Sequence, residues 1–101
     1  MRIQLTRTGG FGGPGHAASV DDASLGPEER EELRRLLEGV DLWSVPQDLV
    51  APSPRPDRFR YRITAEEGGR RREIRASEEA LPEPLRRLVR WLEQRARPSR
   101  P

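Results

Sequence analysis

The chain has no cysteine and no lysine, one histidine (His16) and five aromatic residues among 101. Without cysteine there are no disulfides and no thiolate metal sites, and a lone imidazole cannot assemble a histidine cluster. Classical zinc and cysteine chemistry is therefore excluded, and no metal or cofactor is expected. No apolar run approaches the length needed to span a bilayer, and the start MRIQLTRTGG lacks the apolar segment of a secretory leader. Those absences predict a cytoplasmic protein with no membrane partner. Hydrophobic residues make up 33% and charged residues 36%, so the core must come from a short set of aliphatic positions. At this length, one modest core and one domain, over 1–97 with a frayed tail at 98–101, are expected.

All nineteen basic residues are arginine. Arginine keeps its proton across the working range, so an isoelectric point near 10.3 coexists with a net charge of only +2 and does not by itself indicate nucleic acid. The charge is uneven: residues 1–50 hold five Arg against nine Asp and Glu, and residues 51–101 hold fourteen against eight.

Arg2 to Thr8 alternates with Ile3 and Leu5 on one side, and His16 to Val20 alternates with Ala18 and Val20, so GGFGGPG at 9–15 connects a hairpin. Gly26-Pro27-Glu28-Glu29 starts a helix whose apolar stripe is Leu33, Leu36, Leu37 and Val40. Residues 46–57, PQDLVAPSPRPD, hold four prolines and no periodicity, and predict a long irregular loop. Phe59, Tyr61, Ile63 and Ala65 then alternate with Arg58, Arg60, Arg62 and Thr64. A Gly68-Gly69 turn leads to a return strand carrying Arg72, Ile74 and Ala76. Ser77 is placed to cap a turn at Glu78-Glu79, and Leu85, Leu88, Val89 and Leu92 mark a final helix flanked by Trp91. The order ββαββα predicts an α+β domain, a four-stranded antiparallel sheet with two helices packed on one face.

Catalytic chemistry finds little to use. Asp21-Asp22, Glu28-Glu29 and Glu31-Glu32 sit on turns or a polar helix face, where nothing separates their pKa values into acid and base, and His16 has no serine motif or second ligand nearby. A glycine-rich phosphate cradle calls for a strand-to-helix connection and, for nucleoside triphosphates, a lysine, neither of which GGFGGPG offers. Arg58, Arg60, Arg62, Arg72 and Arg75 suggest a nucleic-acid face, but Phe59 and Tyr61 fall in the inward register, and single-strand binders need exposed rings. A solvated sheet face is the preferred reading, with a nucleic-acid-binding or regulatory adaptor as the alternative function. Two loops on a small sheet, 9–15 with Phe11 and 46–57, favour binding to a protein surface.

Thr8-Gly9-Gly10-Phe11 after the first strand, the PEE-led helix ending at Val40-Asp41, PDRFRYRIT at 56–64 and SEEALPEPLRRLVRWL at 77–92 together resemble the emfourin family. The resemblance implies a small cytoplasmic bacterial inhibitor of thermolysin-like zinc metallopeptidases, protealysin-type enzymes in particular. The resemblance gives the chain a peptidase as its partner, and the lack of catalytic groups reads as a non-enzymatic protein, expected to be monomeric when free. Such an inhibitor must fill a deep cleft from a loop already ordered before binding. Leu49 and Val50 are the bulky apolar residues between Pro46 and Pro52, and either enter that cleft or fold back over Trp43. Phe11 either touches the cleft rim or packs over the hairpin end. Asp48 or Asp57 either approaches the zinc of the target or braces its own loop.

Overall fold

The computed structural model describes residues 1–9, 15–50, 58–95 and 97–98. Four strands form the body of the sheet: β1 (Arg2–Gly9), β2 (His16–Asp21), β4 (Phe59–Glu67) and β5 (Arg70–Ser77). β1 runs antiparallel between β2 and β4, and β4 pairs antiparallel with β5. The alternation read from the sequence fixes the register. Ile3 lies between Val20 and Ala65, and Leu5 between Ala18 and Ile63, while Ile63 faces Ile74. All of these are buried, so one face of the sheet carries the core. The β4–β5 turn puts Gly68 and Gly69 at φ of 56° and 82°, the left-handed backbone that a tight two-residue hairpin needs and that glycine adopts without strain.

Helix α1 (Pro27–Gly39) begins with proline in its first turn and Glu28 and Glu29 at the positive end of its dipole. Helix α2 (Glu83–Glu93) buries Leu85, Leu88, Val89, Trp91 and Leu92, positions that recur at helical spacing and so share one stripe. It packs across β1 and β2, and α1 packs alongside it, adding Leu33 to the same core. Trp91 is buried, with its indole N–H donating to Glu32 Oε2 at 2.9 Å. At the β5 side the core is closed by the turn after α1. Leu42 is buried there, its carbonyl accepts from Arg72 Nη1 at 2.8 Å, and Arg70 stacks on the Trp43 ring. Asp41 holds this turn by accepting from the Trp43 N–H and the Ser44 hydroxyl, which lowers its pKa.

The sheet is wider than four antiparallel strands. β3 (Asp48–Leu49) adds to the outer side of β5 in parallel, pairing Asp48 with Arg75 and Leu49 with Ala76, and β6 (Arg97–Pro98) adds to β2, giving the order β3-β5-β4-β1-β2-β6. The expectation of a purely antiparallel sheet and of irregular chain from residue 46 is thus corrected. Between Pro46 and Pro52 the backbone keeps its N–H groups, and the edge of β5 offers unpaired ones, so Gln47 O accepts from Arg75 N at 2.7 Å. Ser77 also differs from expectation: it ends β5, buried, and its side chain makes no cap bond to the 3-10 turn at Glu78–Ala80.

Candidate functional site

Register brings the stems of both loops to one end of the sheet. Gly9 pairs with Phe59 and Thr8 with Arg60, so the exit from β1 and the entry to β4 lie side by side. Leu49 pairs with Ala76, next to Ser77, which pairs with Arg60, so Val50 leaves β3 toward the same end. Gly9 sits at φ 92°, and a Cβ there would come within 2.8 Å of the Arg58 carbonyl oxygen. Only glycine lets the two stems approach this closely.

On the core side this end is tied together by a polar cluster. Arg7 donates to Glu93 at the end of α2 and to His16 Nδ1 at the start of β2, and its guanidinium lies 4.3 Å from the Phe59 ring centre. The Tyr61 hydroxyl donates to the other Glu93 oxygen at 3.2 Å. Burial, then the Glu93 charge, raises the Tyr61 pKa above its ordinary range and keeps the phenol protonated as a donor. The Phe59 N–H donates to Glu78 Oε1 at 3.0 Å, and Arg58 pairs with the same carboxylate. The stems of β1, β2 and β4 are thereby fixed to each other and to α2.

The opposite face of the sheet is open and polar. Near the loop end it forms a hollow of about 440 Å³ bordered by Thr6, Thr8, Arg60, Arg62, Arg75, Asp48 and Val50. Val50 is the one large hydrophobic residue exposed among the described residues, at 47%. Arg75 pairs with Asp48 at 3.4 Å and Arg62 with Glu73 at 3.6 Å.

These positions sort the residues singled out from the sequence. Leu49 is half-buried and packs against the core, whereas its neighbour Val50 is exposed. Asp48 forms an exposed ion pair with Arg75 on β5. Phe11 and Asp57 lie outside the described residues. Arg58, Arg60, Arg62 and Arg75 are exposed, and three of the four are engaged in ion pairs. The structure joins the apolar candidate Val50 with Arg60, Arg62 and Arg75 on one hollow that Arg58 does not border, although the sequence separates them into two readings. The Arg7, His16, Tyr61 and Glu93 cluster was not foreseen as a unit. Its one trace in the sequence is that Arg7 and His16 fall in the inward register of their strands, where a polar residue needs a partner.

Among the described residues no group of three or more His, Asp or Glu could hold a metal ion, no buried side-chain polar atom lacks a partner, and no helix is long and apolar enough to cross a membrane. Neither curated proteins nor solved structures gave a match to the chain. A family model described as Emfourin matches residues 5–93, from β1 through α2, and the chain belongs to the emfourin family.

Proposed function

We propose that this chain is a reversible, non-covalent inhibitor of a thermolysin-like, protealysin-type zinc metallopeptidase, monomeric when free and acting in the bacterial cytoplasm. Membership in the emfourin family implies protease inhibition in general and a metallopeptidase as the partner. The observation that carries the finer reading is the convergence of both loop stems on one braced end of the sheet, beside the exposed Val50. An inhibitory loop gains affinity when its order is established before binding. The Arg7, Glu93 and His16 contacts and the pairing of β3 with β5 supply that order at the stems. A standard inhibitory interface buries about 1,600 Å² in total, more than one loop provides. Two loops whose stems meet at one end of the sheet, with the hollow beside those stems, suit that area. Inhibition proceeds by occupation of the cleft, with no chemistry on the inhibitor's side.

Titration of the purified chain into thermolysin and into a protealysin-type enzyme tests this. The expected result is competitive inhibition by a chain whose mass is unchanged after incubation. An absence of inhibition of both enzymes, or cleavage of the chain as an ordinary substrate, contradicts it. The arginine face gives the nucleic-acid alternative less support, because carboxylates neutralise Arg58, Arg62 and Arg75 in place.

A further inference from the structure

We infer that the hollow on the open sheet face receives an acidic side chain of the target peptidase, with the Arg60 guanidinium as the group that binds its carboxylate. The inference rests on the inhibitor reading and names the chemistry of the partner at that site. Three guanidinium groups and one carboxylate line the hollow, so its charge is positive. Two of the three are engaged: Arg62 with Glu73 and Arg75 with Asp48. Arg60 has no ion-pair partner among the described residues, and it stands on β4 directly across from Thr8, with Thr6 across from Arg62.

A guanidinium offers a planar fork that meets a carboxylate with two parallel bonds, and threonine hydroxyls beside it can donate to any oxygen left over. Arg62 and Arg75 face each other across β4 and β5, a like-charge pairing that Glu73 and Asp48 compensate. With those two paired, the uncompensated charge of the hollow is that of Arg60, beside Thr8 on β1. Val50 supplies an apolar rim. The hollow therefore matches a single acidic residue set in apolar surface on a protruding segment of the peptidase, and its volume of about 440 Å³ lies within the roughly 300–1,000 Å³ typical of binding pockets.

A nucleic acid needs a track of unpaired cations and exposed rings for stacking. This face holds one such cation in the hollow, and the ring of Tyr61 belongs to the buried side.

The test uses the full chain with Arg60→Glu, Arg60→Ala and, as a control of equal charge change on the exposed side of α2, Arg90→Glu. Thermal unfolding of each verifies folding, and Arg60→Ala serves if Arg60→Glu does not fold. The parent's inhibition of the peptidase is measured first, and if it is absent the inhibitor reading falls, and this inference with it. Given an inhibiting parent, Arg60→Glu should raise the inhibition constant by about tenfold or more, with part of the loss in the association rate and greatest at low salt. Arg60→Ala should fall between it and the parent, and Arg90→Glu should stay within about twofold, as expected of a charge outside the contact. Equal effects of Arg60→Glu and Arg90→Glu overturn the proposal and leave the inhibitor reading standing. So does retention of the parent on duplex DNA at physiological salt, if Arg60→Glu abolishes it without weakening inhibition.

Discussion

Tyr61 is the only tyrosine in the chain, and its hydroxyl points at a carboxylate that already accepts from Arg7. Loss of the phenolic proton would set two anions against each other in a buried place. The folded-state pKa is therefore raised, first by burial and then by the Glu93 charge, from an ordinary value of 10.0. The stability this contributes is complete below about pH 10 and is lost as pH rises above it, because the unfolded chain releases the proton first. Absorbance at 295 nm should show no tyrosinate in the folded protein near pH 10 and its appearance together with unfolding at higher pH. Ionisation at the ordinary value with the fold intact would show that the Glu93 contact does not hold in solution. Val50 and Leu49 are adjacent yet face different surroundings, one exposed and one against the core. Val50→Ala should weaken inhibition, by about 2 kcal/mol if it is an anchor, without changing the melting temperature. Leu49→Ala should lower the melting temperature. The reverse pattern would mean that β3 presents the other side chain to the peptidase.

At the scale of elements, the closeness of the β1 and β4 stems depends on Gly9. Gly9→Ala places a Cβ against the Arg58 carbonyl at a positive φ, so it should destabilise the fold by about 1–3 kcal/mol and also weaken inhibition by moving the two loops apart. A variant as stable as the parent in urea would contradict the close approach. The strands and helices were legible because each alternates or recurs against a single core, as Ile3, Leu5, Ile63 and Ile74 do in the sheet and Leu85, Leu88 and Leu92 do in α2. β3 was not, because two residues carry no period, and its existence depends on an edge of β5 distant in sequence. The same limit hid the hollow. Arg60 and Val50 are close in sequence but lie on strands separated by β5, and they border one hollow only through the order β3-β5-β4, which no spacing rule reports.

The two layers of the molecule share one small core. Leu88 is fully buried between α2 and the sheet, and Leu88→Ala should cost about 2–5 kcal/mol, a large part of the roughly 5–15 kcal/mol typical of a domain. The helices cover the inner face, and the proposed inhibitory surface is the loop end with the open face of the sheet. Amide hydrogen exchange of the free chain and of its complex with a thermolysin-like peptidase decides whether inhibition occurs from that end. Protection on binding should concentrate in residues 6–9, 48–50 and 58–62, with α1 unchanged. Protection centred on α1 and the exposed side of α2, with the loop end unaffected, would contradict the account.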